Sequence, residues 1–304
     1  MKQKTTFRIK GSTSGNVFFL GLVSLFNDIA SEMIYPIIPL YLTTALGAPV
    51  SIVGIIEGIA EATASILKGF SGHLSDRLKH RKNFVVMGYA LSTLSRIVLA
   101  ISSAWWHVLT ARFIDRFGKG TRTSARDALI ADSTQEEHRG AAFGFHRAMD
   151  TVGAVIGPLL ALLFLTLLNE RFSLFFWIAV LPSLVGVLIL WIWVKEPAHH
   201  RHNHSPLPRF SLKAFPQPFK MFLLVNIIFA LGNSSDAFLI LRAKHLGFSN
   251  SGSVMLYVVF NIVYAFAAYP LGKLSDRWGA KKVLTSSFLL FTVIYTWIGV
   301  IEEG

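Results

Sequence analysis

Apolar residues in this chain occur in long blocks that are separated by short polar loops. About 20 residues of α-helix cross a hydrocarbon core of about 30 Å. Nine blocks have roughly this length, at residues 17–42, 50–70, 84–103, 105–130, 141–168, 172–194, 219–242, 253–271 and 283–301. The blocks lack the alternation that is typical of membrane β-strands. The pattern therefore predicts an all-α membrane protein with nine spans, numbered 1 to 9 in chain order.

The composition agrees with this prediction and excludes several other classes of protein. Of the 304 residues, 53% are hydrophobic and 15% are charged, against about 25% charged residues in a typical soluble domain. The chain has no cysteine, which excludes disulfides, zinc thiolate sites and cysteine nucleophiles. The net charge of +12 comes from loop residues rather than from a basic surface with stacking aromatic rings. We therefore expect no binding of nucleic acid.

The basic residues are concentrated in alternate loops. Lys and Arg cluster in the amino-terminal segment and after spans 2, 4, 6 and 8, whereas the other loops contain only Arg171 and Lys244. Loops that are rich in Lys and Arg remain in the cytoplasm. We therefore expect a multi-pass protein of a bacterial or archaeal plasma (inner) membrane, with a cytoplasmic amino terminus. We call the end with the basic loops the predicted cytoplasmic end and the opposite one the predicted outer end.

A polar stretch rich in proline and histidine lies between spans 6 and 7, and this composition is typical of a linker. The sequence therefore predicts a six-helix bundle at 1–194, a cytoplasmic linker at 195–218 and a second, incomplete bundle of three helices at 219–304. Histidines at 199–204 are able to bind a metal ion, but a solvated linker explains them better. We expect no metal and no cofactor.

A charged sequence word occurs twice. Residues 72–82 have the sequence GHLSDRLKHRK and residues 272–282 have the sequence GKLSDRWGAKK, each after an even-numbered span. Such a match at corresponding places in two groups of helices indicates an internal repeat, and transporters are one class of protein built from such repeats. From helix chemistry alone, we expect Gly72 to end its helix and to let the chain turn.

The repeated word resembles the loop signature of the major facilitator superfamily, G-x-L-x-D-R-x-G-R-R/K. The second copy keeps the later glycine as Gly279, whereas the first copy has Lys79 there. The resemblance implies two six-helix bundles, with this loop joining them at the cytoplasmic side when the transporter faces outward. Pairing of the loop arginines with Asp127 or Asp132 is one expected contact. The residues assigned to this gating role are Gly72, Asp76, Arg77, Arg81, Gly272, Asp276 and Arg277.

The resemblance also implies which part of the family fold this sequence covers. Members have twelve helices, so nine spans imply a fragment or a truncated gene, and a non-functional remnant is one interpretation. In the family the first loop docks on helix eleven and the second on helix five. We therefore expect Asp276 to dock near residues 139–145. We expect Asp76 to keep partners only within its own bundle.

Spans 4 and 5 carry two further family patterns. In span 4, Arg112 falls where the family has a membrane-embedded arginine, and Arg116 replaces a family glycine. In span 5, Gly153, Gly157 and Pro158 resemble the G-x-x-x-G-P pattern of the drug/proton antiporter branch. Glycines one turn apart allow close helix packing, which is the simpler explanation of this pattern.

Charged residues within the spans are the candidate site residues. A charge at the centre of a bilayer costs about 2.5–3.5 kcal/mol or more, so such groups face a cavity or one another. Candidates for the substrate and proton pathway are Asp28, Glu32, Glu57, Glu61, Arg112, Asp115, Arg116 and Asp236. The resemblance favours spans 1, 4 and 7, which line the central cavity in the family. The alternative is structural ion pairs between helices, for example Glu61 with Arg96.

The resemblance implies a secondary transporter that moves a small solute by alternating access. The span-5 pattern adds proton-coupled efflux, and a desolvated carboxylate suits proton coupling. A divalent-cation or iron-related transporter of the same fold is the alternative. We expect the protein to be a monomer. We also expect that it is not an enzyme, because the sequence has no catalytic motif and His146 near Asp150 is the nearest approach to a catalytic pair. Residues 117–121 (FGKGT) lack P-loop spacing, so we expect no nucleotide binding.

Overall fold

The computed structural model describes residues 15–77, 81–197 and 215–300, without the side chains of 69–77, 265, 268–270, 272, 273, 275, 276, 280 and 299. Every regular element in these ranges is helical. The helices are α1 (Gly15–Ile34), α2 (Ile37–Leu40), α3 (Val50–Arg77), α4 (Arg81–Ala100), α5 (Trp105–Asp132), α6 (Arg139–Leu167), α7 (Phe172–Trp193), α8 (Gln217–Gly232), α9 (Asp236–His245), α10 (Asn250–Trp278) and α11 (Ala280–Val300). A π-helical turn (Tyr41–Ala45) follows α2, and a 3₁₀ turn (Glu136–His138) precedes α6.

Two of the predicted spans are interrupted rather than continuous. Span 1 breaks between α1 and α2 at Pro36, whose ring cannot donate a backbone hydrogen bond. Span 7 breaks between α8 and α9, where the Ser235 hydroxyl accepts a hydrogen bond from the Ala237 N–H at 3.3 Å and caps α9. The predicted span at 219–242 is therefore present within the stretch Gln217–His245, but its helix is interrupted, because the Asn-Ser-Ser run before α9 offers the backbone alternative hydrogen bonds.

The repeated word is largely helical. Gly72 lies inside α3, which continues to Arg77, and Gly272 lies inside α10, which continues to Trp278. The expectation that Gly72 ends its helix is therefore wrong, because glycine permits a turn but does not force one. In the second copy the chain turns at Gly279 instead, where φ is +87°, a backbone conformation that glycine adopts without strain.

Within the described residues, six helical stretches are long and apolar enough to cross a membrane. They are Gly15–Ala45, Val50–Lys68, Arg81–Ala100, Glu136–Leu167, Phe172–Trp193 and Gln217–His245. The 28-residue helix α5 does not meet this criterion because charged residues recur from Arg112 to its end. Three of its arginines, Arg112, Arg116 and Arg122, are buried among the neighbouring helices.

The helices of spans 1 to 6 pack closely together. Helix α1 lies against α6 and α7, α5 lies against α3 and α4, and α4 also contacts α7. A Cβ atom at Gly88 of α4 would lie 2.7 Å from the carbonyl oxygen of Gly118 of α5, so these helices meet at backbone distance. The division of the chain at 194 and 218 remains a prediction.

The helices of spans 7 to 9 contact the first group mainly through α9 and α10. Helix α9 packs on α2, and α10 packs on α6. At the predicted outer end, the Asn250 side chain donates a hydrogen bond to Glu170 at 2.8 Å. None of the described residues of α8 is buried. The two groups of helices are therefore joined chiefly in their outer half.

At the predicted cytoplasmic end, the start of α4 is tied to its own bundle. Arg81 forms an ion pair with Asp132 of α5, one of the two carboxylates that the sequence suggested. The Glu196 carboxylate accepts hydrogen bonds from the backbone N–H groups of Arg81 and Lys82 at 3.1 and 2.8 Å, which caps α4. The side chains of Asp76, Arg77 and Asp276, and the histidines at 199–204, lie outside the described residues. The two docking predictions therefore remain predictions.

Candidate functional site

A cavity of about 240 Å³ lies between the first group of helices and the α9–α10 pair. Its walls come from α1, α4 and α5, with one side chain each from α2, α9 and α10. The lining is unusually polar for a site among apolar helices. Its charged members are Asp28, Glu32, Arg96, Arg112, Asp115, Arg116, Lys119, Arg122 and Asp236.

Helical periodicity explains why these residues share one cavity. Residues three or four positions apart lie on the same face of a helix. On α1 this spacing aligns Asp28 and Glu32, and Tyr35 continues the same face in the turn that follows α1. On α5 it aligns Arg112 and Arg116 with Lys119 and Arg122, and it extends the charged face over three turns. The cavity therefore has an acidic wall from α1 and a mainly basic wall from α5.

The acidic wall has neutral hydrogen-bond partners. Asn27 donates to Asp28 at 3.3 Å, and the Tyr257 hydroxyl of α10 donates to Glu32 at 3.1 Å. Among the described residues, no Lys, Arg or His nitrogen lies within 4.0 Å of either carboxylate. Both acids are thus free of ion pairs in this part of the chain, and Glu32 connects the two groups of helices through Tyr257.

The glycines of span 5 lie directly behind the acidic wall. A Cβ atom at Gly153 would lie 2.9 Å from the Asp28 Cβ, and one at Gly157 would lie 2.6 Å from the Glu32 Cβ. Pro158 lies within α6 and is buried. The absence of side chains at the two glycines lets α6 press against the acid-bearing turns of α1. This contact positions the Asp28 and Glu32 backbones.

The basic wall is partly neutralised by α3. The Arg112 Nη2 atom donates to both carboxylate oxygens of Glu57, at 2.6 and 2.8 Å, with both side chains buried. One turn along, Arg116 lies 3.1 Å from Glu61. The suggested Glu61–Arg96 pair is wrong, because the acidic face of α3 packs on α5 rather than on α4.

Arg96 instead has uncharged partners. Its guanidinium donates to Ser183 at 2.6 Å, to Ser31 at 2.7 Å and to the Asn27 side chain at 3.2 Å. Since these acceptors lie on α7 and α1, Arg96 holds three helices together beneath the cavity. Its positive charge remains without an ion-pair partner among the described residues.

Lys119 and Arg122 complete the basic wall. The Lys119 side chain is exposed at the cavity, and no carboxylate of the described chain lies within 4.0 Å of it. Arg122 is buried, donates to Ser92 at 2.6 Å and stacks over the Tyr89 ring at 4.4 Å. Arg96, Lys119 and Arg122 were not among the site residues predicted from the sequence. The recurrence of charge along one face of α5 was the signal for two of them.

The break in span 7 brings its polar residues to the first group of helices. The Ser235 hydroxyl lies 3.1 Å from the Tyr35 hydroxyl and 3.5 Å from a Glu57 oxygen. The Arg112 guanidinium lies 5.7 Å from the centre of the Tyr35 ring. Asp236 follows at the start of α9 and lines both the main cavity and an adjoining cavity of about 560 Å³. Glu57 and Glu61 line the adjoining cavity.

A further polar cluster lies in the α1–α6 interface, where Ser24 donates to Asp150 at 2.5 Å. The His146 Nδ1 atom lies 3.5 Å from the other Asp150 oxygen. Ser24 contacts the aspartate rather than the histidine, so this is not the order of a nucleophile and its base. Among the described residues, no group of three or more His, Asp or Glu could hold a metal ion.

Comparison with known proteins gives consistent similarities. The family model described as Major Facilitator Superfamily matches residues 20–302. An MFS-type transporter of Methanocaldococcus jannaschii is 36% identical over 92% of this chain and 71% of its own length. The class B tetracycline resistance protein of Escherichia coli is 22% identical over 93% of this chain and 72% of its own.

A solved structure shows the same fold. It is a bacterial homologue of the human lysosomal transporter Spinster, in an inward-facing and unoccupied conformation. The TM-score is 0.67 at 18% identity, with 89% of this chain covered. This chain spans 64% of the length of that protein.

Proposed function

Because this chain belongs to the Major Facilitator Superfamily, we propose that it moves a small solute across the membrane by alternating access, in exchange for protons. The observation that carries the proposal is the charged cavity between the two groups of helices. Charged side chains in a membrane-embedded helix bundle are costly, and they are typical of substrate and ion pathways. Asp28, Glu32, Asp115 and Asp236 form the proposed pathway.

The contacts between the helix groups support an inward-facing state. Hydrogen bonds from Asn250 to Glu170 and from Tyr257 to Glu32 join the groups in their outer half, whereas α8 has no buried residue in its described length. The similarity to the inward-facing Spinster homologue supports the same state. In this proposal the solute enters from the cytoplasmic side of the plasma membrane, with the two repeated words as gating elements.

Proton coupling follows from the acidic wall. Asp28 and Glu32 are able to hold either a proton or a cationic group of the solute, since the described residues offer them no ion pair. A solute and a proton that compete for one carboxylate are transported in opposite directions, which gives antiport. The similarity to a tetracycline resistance protein and the Gly153–Gly157–Pro158 pattern support export as its direction.

The α3–α5 ion pairs have a different proposed role. Arg112 with Glu57 and Arg116 with Glu61 hold the basic wall in place and line the route between the two cavities. We propose that they change partners during transport rather than carry the proton. This assignment separates the proposed proton pathway from the ion pairs that α5 forms with α3.

Proton flux in proteoliposomes that contain the 304-residue chain tests this function. A pH-sensitive dye inside the vesicles reports proton movement when organic cations, zwitterions and anions are added singly. We expect at least one compound to drive proton movement, and Asp28→Asn or Asp115→Asn to abolish it. Glu136→Gln, at an exposed turn outside the cavity, is the control and should transport normally.

Two outcomes contradict the proposal. If the wild-type chain moves no protons with any compound, proton-coupled transport is rejected. If Asp28→Asn and Asp115→Asn both transport at the wild-type rate with normal proton dependence, the assignment of the pathway fails.

A further inference from the structure

We propose that the solute is a small zwitterion, with its cationic group at the acidic wall of α1 and a carboxylate-like anionic group bound by Lys119 on α5. The inference rests on the proposed transport function and specifies its substrate class. It begins from the charges that the protein leaves without partners on opposite sides of one cavity.

Lys119 is the first of these charges. Its side chain is exposed at the cavity, and no carboxylate of the described residues lies within 4.0 Å. Its charged neighbours on α5 are Arg116, Arg122 and Asp115, and Asp115 lies one helical turn away but beyond the ion-pair distance of 4.0 Å. Arg116 is neutralised by Glu61, whereas Arg122 has uncharged partners. A cationic group in such a site is stabilised by a bound anion.

The acidic wall, in contrast, requires a cationic group on the solute. Asp28 and Glu32 lack an ion pair in the described chain, and Asp236 lines the same cavity from α9. The rings of Tyr35 and Tyr257 lie between these elements, with centroids 5.6 Å apart. Carboxylates beside aromatic faces suit an ammonium group, which is attracted by both. This wall therefore favours the cationic part of a solute.

The two walls do not neutralise each other directly. No ion pair within 4.0 Å joins an α1 carboxylate to Lys119 or Arg122 in the described residues. The space between them is about 240 Å³, enough for about eight water molecules at ~30 Å³ each. A simple cation would leave Lys119 uncompensated, and a simple anion would leave Asp28 and Glu32 uncompensated. A zwitterion of matching size satisfies both walls.

Binding to the purified chain tests this inference independently of transport. The probes are linear ω-amino carboxylates of three to six carbons, with the alkylamines and alkanoates of the same lengths as matched single-charge compounds. Unfolding is followed by tryptophan fluorescence as a function of temperature. We expect at least one amino carboxylate to raise the unfolding temperature more than its amine and its alkanoate do at equal concentration.

Variants then assign the anionic group to Lys119. Lys119→Gln should increase the concentration of amino carboxylate needed for half the shift by about tenfold or more, because a charged hydrogen bond is lost. Lys119→Arg should largely restore it. Lys195→Gln, an exposed lysine just after α7 and outside both cavities, is the control and should behave as wild type. In Asp28→Asn the preference for the zwitterion over the alkanoate should disappear.

Three results overturn the inference: no amino carboxylate shifts the unfolding temperature, an amine shifts it as much as its amino carboxylate, or Lys119→Gln binds normally. Proton flux driven by a simple cation in the vesicle assay would retain the transport function while rejecting the zwitterion. The two proposals therefore fail separately.

Discussion

The two charged walls of the cavity are built from the same helical spacing but have different partners. On α5, Arg112 and Arg116 meet Glu57 and Glu61, because α3 presents acids at the same spacing along the contact. On α1, the helix packed behind the two acids is α6, and its contact residues Gly153 and Gly157 offer no side chain. The comparison shows that a charge within a span is either paired or available according to the helix behind it. The predictions below test this difference.

The largest effect is expected where a buried ion pair is broken. Arg112→Gln leaves the buried Glu57 carboxylate without its partner, so we expect a loss of about 3–5 kcal/mol in the free energy of unfolding. Denaturant or thermal unfolding in detergent measures it. The double variant Arg112→Gln with Glu57→Gln should recover most of the loss, because no uncompensated charge remains. Equal losses in the single and double variants would contradict the interpretation.

A smaller effect is expected at the glycine contact behind the acidic wall. In Gly157→Ala the new methyl group would lie 2.6 Å from the Glu32 Cβ and 2.9 Å from the Ile29 carbonyl oxygen, so α6 must move away from α1. We expect a loss of about 1–3 kcal/mol, measured by the same unfolding assay.

Gly144→Ala is the matched control for that substitution. It lies on the same helix, and its added Cβ would meet nothing within 4 Å. We expect this variant to be as stable as wild type or slightly more stable, since alanine favours the helix. Equal destabilisation by the two substitutions would show that the α1–α6 contact is not what Gly157 provides.

The smallest effect is expected at the hydrogen bond between the helix groups. Tyr257→Phe removes the hydroxyl that donates to Glu32 at 3.1 Å but keeps the ring beside Tyr35. We expect a loss of about 0.5–1.5 kcal/mol in unfolding, typical of one hydrogen bond. Tyr264→Phe, with an exposed side chain on the same helix, is the control. If Tyr257→Phe causes no further loss in a Glu32→Met background, the hydroxyl acts through Glu32, because methionine of similar size offers no comparable acceptor. Independent losses would place the role of the hydroxyl elsewhere.

Much of the fold could be predicted from local sequence patterns. Long apolar blocks predict helices wherever the chain meets a membrane, and all nine blocks correspond to helices of the described chain. The helix breaks at Pro36 and before Asp236 were not predicted, because a short polar interruption does not shorten a long apolar block. The end of α3 was also misplaced, since Gly72 is compatible with both a helix and a turn.

Local sequence patterns predicted only part of the candidate site. Charged residues within the spans indicated a polar cavity, and Asp28, Glu32, Arg112, Asp115, Arg116 and Asp236 all line it. Lys119 was missed because it was considered only as part of residues 117–121, in connection with nucleotide binding. The role of Lys119 depends on which carboxylates lie near it in the folded protein, and most of these are far away in the sequence.

The amino-acid sequence was therefore sufficient to predict the membrane class, the positions of the nine helical blocks, the repeated word and the family. These depend on hydropathy and short motifs, which act along the chain. Helix packing was needed to show that Glu61 meets Arg116 rather than Arg96 and that Gly157 lies behind Glu32. It was also needed to show that Asp28 and Lys119 face one cavity without forming an ion pair. The physical reason is that the charge balance of a buried group depends on its nearest neighbours across helices, which are far away in sequence.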